Sequence, residues 1–530
     1  MKINNFFKVF FVLLFLFSAC KENLEEKPFS SLSSSSVFAN EDGLKNATLG
    51  VYQSWTATPF FDVFFRFVLS ECGHRYATNG LYDAAFFDPY YRFGQKPTDG
   101  GTLAVWRRYF ATISRANTVI DNALKAVSDP DIAKFYIAEA KFNRAYAYFN
   151  LVRDFGGVPL IKSEIKSLDQ TTDIFGARAS VEDTYNLIVE DLMFAEKNLP
   201  DTWTGENLGR ITSGASKALL GKVYLTMAGK PLSKQENYQK AVDKLLEITS
   251  EAGEQKYNFG LLEDYKSIFS INNKRNKEVI FSFSYFYSSA SPNASLYPFF
   301  IFPVGLVDGD EQTRYGLTYD FYLLYENADI RRDFTVVKRY KFAGKFPNAG
   351  AQPGDSIIYD EVERQYKVKT TGVVVGNSNV KCGIGYGKFD RVPRPGGSIP
   401  WGYSTDLIEL RYADVLLCLA EALNETGKPV EAVKFLNRVR NRAHASEYVA
   451  GNQQAVRDQI RLERRLELTG EYTTVYDIRR WGTLQNEIQK MAPSQIIDNA
   501  LNPYSSKLEL YPIPQTQLDS NPNLIQNEGW

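Results

Sequence analysis

Leu419-Ala420-x-x-Leu423, then Gly427, then Ala432, Leu436 and Val439 fit the 34-residue template of a tetratricopeptide helix pair position for position. Such a pair cannot bury its apolar face alone, so it predicts further pairs stacked into a solenoid. A second copy opens at Leu220-Gly221-Lys222-Val223-Tyr224, where the glycine lets a partner helix approach. That partner reads Tyr238-x-x-Ala241-x-x-x-Leu245-x-x-Ile248, after a longer loop holding Gly229 and Pro231. A looser pair runs from Ala138 to Val152, with Phe135, Ala138, Phe142, Ala145 and Phe149 on one stripe, and from Val181 to Leu199, ended by Pro200. Between them Phe155-Gly156-Gly157-Val158-Pro159 breaks the chain. Further helices are predicted over Asp42–Ser54, Leu103–Lys125 and Ala455–Leu468. Strand signals are few, the best being Val279–Phe283 and Lys367–Val375. The expected fold is mainly α, a tetratricopeptide-like helical repeat scaffold with little β. Long irregular insertions interrupt it over Gly73–Gly101, Ser284–Asp310 and Lys341–Trp401, and loops of that length are usually functional.

The N-terminus carries a different kind of signal. Lys2 and Lys8 flank the apolar block Val9–Phe17, and Ser18-Ala19-Cys20 follows, the order of a lipoprotein leader. The apolar stretch is too short for a bilayer core that needs about 20 residues, so a permanent membrane span is not expected. Residues 1–19 are read as a cleaved signal peptide and Cys20 as the lipidated mature N-terminus. An ordinary secretory leader with an incidental Cys20 is the competing reading, because Phe17 stands where lipoproteins usually have Leu. Residues 20–36, which end in the serine run Ser30–Ser36, cannot bury a core and are expected to be a flexible tether.

Composition narrows function mainly by exclusion. Across 530 residues, 61 Lys+Arg stand against 62 Asp+Glu, so no global field points to nucleic acid. Cys72, Cys382 and Cys418 form an odd set without metal-ligand spacing, and Cys418 reads as a small buried hydrophobe. Only His74 and His444 exist, too little material for a histidine metal site or a Ser-His-Asp triad. Gly383-Ile384-Gly385-Tyr386-Gly387-Lys388 lacks the spacing and ending of a phosphate-binding loop and is read as a tight turn. No catalytic, cofactor or metal site is therefore expected. Two acidic groups suffice for a glycosidase, however, and counting carboxylates does not exclude one.

Aromatics are abundant, with 37 Phe, 32 Tyr and 6 Trp; some are core, but many of the tyrosines sit in turn-rich stretches and not in periodic ones. Sugar rings need flat side chains for stacking and amides, carboxylates or guanidinium groups for their hydroxyls. The first insertion offers that mixture in Tyr76, Asn79, Tyr82, Asp83, Phe86, Phe87, Tyr90 and Tyr91, with His74 and Arg75 nearby. The second offers Tyr285, Phe286, Tyr287, Tyr297, Phe299 and Phe300 with Asn293. These are the candidate ligand-binding residues. For any one of them, a ring pinning its loop to the scaffold is the simpler role.

Several longer motifs match a family. Arg115-Ala116-Asn117 and the run Glu139–Leu160, EAKFNRAYAYFNLVRDFGGVPL, resemble the N-terminal hallmark of SusD/RagB proteins. The C-terminal half is similar to the same family in Arg411–Leu417 (RYADVLL), in Ala420–Glu425 (AEALNE), and in Leu436-Asn437-x-Val439-Arg440-x-Arg442-Ala443. Further matches are Glu463-Arg464-Arg465-x-Glu467-Leu468, Asp477-Ile478-Arg479-Arg480-Trp481-Gly482, Tyr511-Pro512-Ile513-Pro514 and Asn521–Gly529. Where the family usually shows Glu-Gly-x-Arg after Leu468, this chain has Glu471-Tyr472-Thr473-Thr474, which puts a local ion pair in doubt. The other charged motifs are expected to be salt bridges between packed helices.

The resemblance implies an N-terminal region over 37–225 and a C-terminal region over 226–530, with tetratricopeptide-like helices in both. It also implies a lipid-anchored protein on the outer face of the outer membrane that captures oligosaccharide through aromatic platforms. Its partner would be a SusC-like TonB-dependent transporter, over which it would sit as a lid. The acidic stretch after Cys20 resembles the signal by which Bacteroidetes place lipoproteins on that face. Two alternatives stand beside this reading: a lipid-anchored glycan hydrolase, and a repeat scaffold that binds only peptides or proteins.

Overall fold

The computed structural model describes residues 34–57, 66–79, 88–167, 169–170, 175–288, 291–307, 311, 313–344, 350–376, 381–391, 402–491 and 501–530. The leader, Cys20 and most of the expected tether lie outside these residues. Ser34–Val37 already forms a helical turn, so the described chain begins within the serine run.

Nine longer helices make the scaffold among the described residues: α1 Glu41–Thr56, α2 Gly100–Ala126, α3 Pro130–Phe155, α4 Val181–Asn198, α5 Ser213–Ala228, α6 Glu236–Thr249, α7 Tyr412–Glu425, α8 Pro429–Arg442 and α9 Gln453–Leu468. Each packs on the next in chain order from α1 to α8, and α9 closes on α7 and α8. The caps follow local chemistry. Asp129, Ser180 and Thr212 each accept an N–H of the first turn that would otherwise be orphaned. Gly156 ends α3 and Gly427 follows α7, both in left-handed conformation (φ 75° and 81°), where only glycine avoids a steric cost.

Close approach in the α5–α6 pair depends on Gly221: a Cβ there would lie 2.3 Å from Leu245 Cδ2. In α3 the single expected stripe is too narrow. From Ala138 onward the helix is buried on almost every face, while Phe135 is exposed. The reason is that α2 and α4 flank it, with α1 also in contact.

The expected strand over 279–283 is present as β2 (Val279–Phe283), paired antiparallel with β9 (Leu407–Arg411). The expected strand over 367–375 is instead a hairpin. β8 (Gln365–Val368) pairs with β7 (Ser356–Asp360), and the chain reverses at Gly372 so that Val374 bridges back to Lys367.

The charged motifs are buried ion pairs. Arg411 Nη1 donates to Glu467 Oε1 at 2.6 Å and to Glu278 at 3.0 Å. Arg331 Nη1 donates to Glu467 Oε2 at 2.7 Å and to Glu463 at 2.6 Å, and Arg442 also pairs with Glu467. Arg464 joins Asp414 (2.9 Å) to Asp477 (2.8 Å), tying α7, α9 and the following helix α10 (Thr474–Arg480). Lys388, the last residue of the glycine-rich run, is buried and donates to the carbonyls of Glu467 and Thr469. The run has a structural role, but it is an extended segment bridged at Ile384 and Tyr386 and not the expected tight turn.

Candidate functional site

The three insertions are joined into one layer. β1 (Ala77–Asn79) pairs with β5 (Tyr315–Leu317), Leu317 bridges Ile384, and Val336 bridges Tyr386. β3 (Phe286–Ser288) and β4 (Ser291–Asn293) form a small antiparallel pair, and Ser295 bridges Tyr403.

Polar anchors fix this layer to the scaffold. Arg66 donates to both oxygens of Glu409 on β9, at 2.7 and 2.5 Å, with both side chains buried. Asp406 accepts from Lys274 (2.6 Å), the Ser284 hydroxyl (3.1 Å) and the Tyr285 N–H (3.0 Å). Tyr297 donates its hydroxyl to Gly470 O at 2.8 Å, and Tyr511 donates its own to Leu69 O at 2.7 Å.

Glu71, at the end of the short helix Phe67–Glu71, has no cation partner among the described residues. It accepts the N–H groups of Gly470, Thr473 and Thr474 and the Thr474 hydroxyl. The departure from the family pattern at Glu471–Thr474 therefore has a definite outcome. Thr473 and Thr474 serve Glu71, while Glu471 pairs with Arg411 and Lys388.

Most of the expected ligand-binding rings that the structure describes turn out to be core. Tyr76 is buried beside Phe321, with Arg75 and Arg465 over its ring. Tyr90 packs edge-on against Tyr511, and Tyr91 is buried next to Cys72. Tyr285, Tyr287 and Tyr297 are buried as well. Tyr297 meets Phe67 at 5.1 Å and Phe389 at 4.9 Å, and Tyr287 lies against Gly402.

The physical reason is the alternation of an extended chain, whose successive side chains point to opposite faces. Asp406 holds the Tyr285 N–H and Ser404 holds the Tyr287 N–H, so those two rings face inward. Phe286 between them is left 68% exposed. Phe299 and Phe300 are also buried. Asn79 lies on β1 opposite Tyr315, and Tyr82, Asp83, Phe86 and Phe87 lie outside the described residues.

One aromatic platform had no place among those expectations. Tyr319 and Tyr322, on a single helical turn just after β5, stack with centroids 5.8 Å apart and an interplanar angle of 16°. Lys338 sits 4.2 Å from the Tyr319 ring centre, Tyr322 donates its hydroxyl to Asp333 at 3.0 Å, and Leu323 beside them is exposed. The sequence signal was the dense run Tyr319-Asp320-Phe321-Tyr322, which falls between the second and third insertions as drawn from composition.

Burial raises Tyr322 in this stack, and the buried His74, Glu71 and Asp154 are perturbed as well. Burial lowers the His74 imidazole to about 3, helped by Arg465. Burial raises Glu71 to about 7 and Asp154 to about 6, in each case only partly offset by hydrogen bonds or nearby arginines. The cavity beside Arg66, Glu409 and Glu471 holds about 10 Å3, room for about one water. Among the described residues no cluster of His, Cys, Asp and Glu could hold a metal ion, and no helix is long and apolar enough to cross a membrane.

Residues 222–530 match the model of the SusD family, and residues 22–225 match a model described as starch-binding and associating with the outer membrane. The chain belongs to the SusD family. A SusD-like protein of Formosa agariphila, P25, is 26% identical over 583 aligned positions that cover 100% of this chain and 99% of the relative. A SusD homolog from Bacteroides thetaiotaomicron superposes with a TM-score of 0.76 at 24% identity, covering 94% of this chain and 98% of that one. A laminarin-binding SusD-like protein gives a TM-score of 0.70 at 25% identity, covering 93% and 100%. The mainly helical architecture with little sheet is thus the SusD fold.

Proposed function

We propose that this SusD protein is a cell-surface glycan-binding lipoprotein that captures oligosaccharide and delivers it to a TonB-dependent transporter of the outer membrane. The observation that carries the reading is likeness over almost the whole of both chains to a relative described as laminarin-binding. Cys20 is the lipid anchor, residues 20–36 are the tether, whose last three residues already belong to the first helical turn, and the regions 37–225 and 226–530 share one helical scaffold. The protein faces outward and works without hydrolysis. Nucleic acid and cofactors have no part in it.

The glycan lies on the insertion layer. Phe286 and the half-buried Tyr319, backed by buried Tyr322, supply flat apolar faces, and Lys338, Asp320 and Asn293 supply partners for hydroxyl groups. Asn79, Tyr82, Asp83, Phe86 and Phe87 are proposed as further ligand contacts on their residue types alone.

The test is incubation of the purified full chain with a panel of neutral polysaccharides, laminarin included, followed by affinity electrophoresis and a reducing-end assay. Retarded migration without new reducing ends is expected. New reducing ends would make the protein a hydrolase, and neither effect across the panel would leave a role in binding only peptides or proteins. Pull-down of a TonB-dependent transporter from solubilised outer membranes is the expected partner result.

A further inference from the structure

Outside the insertion layer, the 201–212 loop between α4 and α5 and the segment leading into β2 enclose a cleft of about 120 Å3 on the scaffold. Two fixed rings line it. Trp203 donates its Nε1–H to Ile211 O at 2.8 Å, and the Arg210 guanidinium lies 4.8 Å from its ring centre. Arg210 is itself tied to buried Glu139 at 2.6 Å. Phe259 stacks on buried Tyr257, centroids 5.9 Å apart and planes 28° from parallel.

The polar lining is unusual in how much of it is unspent. Arg275 is exposed and adopts a left-handed backbone (φ 58°), with its side chain laid over Gly209, where a Cβ would lie 2.8 Å from Nε. Its guanidinium makes no hydrogen bond and no ion pair among the described residues. The same is true of the Lys277 ammonium, the Asn258 amide and the Ser282 hydroxyl. Asn258, at φ 54°, is the left-handed cap that ends the short helix Glu251–Tyr257. Asp201, the one carboxylate of the lining, is occupied by the Ser213 hydroxyl (2.7 Å) and Lys256 (3.5 Å). Two exposed cations therefore face the cleft, where the one carboxylate of the lining is already engaged; outside it, Arg275 also acts on the Asp406 carboxylate. The left-handed backbone of Arg275 costs stability, and such outliers gather at ligand clamps.

We propose that this cleft is a second carbohydrate subsite, selective for glycans that carry carboxylate or sulfate groups. The exposed ring surface of Trp203 and Phe259 takes the apolar face of a sugar. Asn258 and Ser282 take its hydroxyls. Arg275 takes the acid group through the paired N–H donors that suit a planar or tetrahedral oxyanion, with Lys277 adding charge. The choice of a sugar over another anion rests on the glycan-binding reading, but the residues are separate from the insertion layer.

Affinity electrophoresis of the full chain tests it, with polygalacturonate, a sulfated galactan and neutral laminarin as probes. At least one anionic polymer is expected to retard the wild type, and which one does so separates carboxylate from sulfate. Trp203→Ala and Arg275→Gly are each expected to weaken that retention at least tenfold and to leave laminarin retention unchanged. Arg275→Gly suits the left-handed backbone, so loss of binding there does not come from misfolding. No retention by either anionic polymer, or equal retention of both variants and the wild type, overturns the subsite. If laminarin alone is retained, the glycan-binding reading survives without it; if no glycan is retained, both fall.

Discussion

Glu467 in the scaffold and Glu71 in the insertion layer are both fully buried carboxylates, and their surroundings are opposites. Burial alone would raise Glu467, but Arg442, Arg411, Arg331 and Lys388 more than offset it and hold the group well below the usual carboxylate range. Glu71 meets only N–H and hydroxyl donors, so burial wins and the group rises to about 7. The scaffold is thus cross-linked by a shared network of buried charge, while around the layer packed rings and neutral donors stand beside isolated ion pairs such as Arg66–Glu409 and Lys274–Asp406. A layer built that way can accept changes of loop and ligand without disturbing the helices beneath it.

The largest effect that would break this contrast is expected from Glu467→Ala. It leaves the facing guanidinium groups without their shared carboxylate and should cost about 3–5 kcal/mol in chemical denaturation. A loss below about 1 kcal/mol would show that the network is not what holds α9 to its neighbours.

Next comes a dependence on pH with opposite signs. Glu71 has its folded value raised above the ordinary 4.5, so its contribution is complete below pH 4.5 and declines as pH rises to about 7. The decline amounts to about 3 kcal/mol. Glu71→Gln should flatten the stability profile between pH 5 and pH 7. Glu467 and Asp414 are depressed, so their contribution is present at neutral pH and is lost as pH falls below the ordinary carboxylate range. A wild-type profile with no decline toward neutral pH that Glu71→Gln removes would contradict the assignment of Glu71.

Tyr297→Phe should cost about 1 kcal/mol, since it removes the hydroxyl that satisfies Gly470 O and keeps the ring. The smallest stability effect is expected from Phe286→Ala, within about 0.5 kcal/mol, because the ring is exposed. The same substitution should weaken glycan retention severalfold, which separates a binding ring from a packing ring.

The helix pairs were legible because their periodicity and turn glycines are local. Gly221 was read as a point of close approach, and Leu245 occupies the space a side chain would need. The charged motifs were legible as structural for the same reason. The aromatic layer was not. Tyr90 is pinned by Tyr511, which is hundreds of positions away in sequence, and composition cannot distinguish such a ring from one that faces water. Tyr287 and Phe286 are neighbours with opposite fates, decided by the strand phase that Asp406 and Ser404 impose from the segment just before β9. Tyr319 and Tyr322 were missed because a single helical turn is too short to show a period. The scaffold cleft around Trp203 draws on segments that are far apart in the chain, so no motif announced it.

Hydrogen exchange of the full chain with and without laminarin tests the division of labour most directly. The account predicts slowed exchange over 72–101 and 284–323, with α7, α8 and α9 unchanged. Protection confined to those scaffold helices, or none anywhere while laminarin is being cleaved, would contradict it.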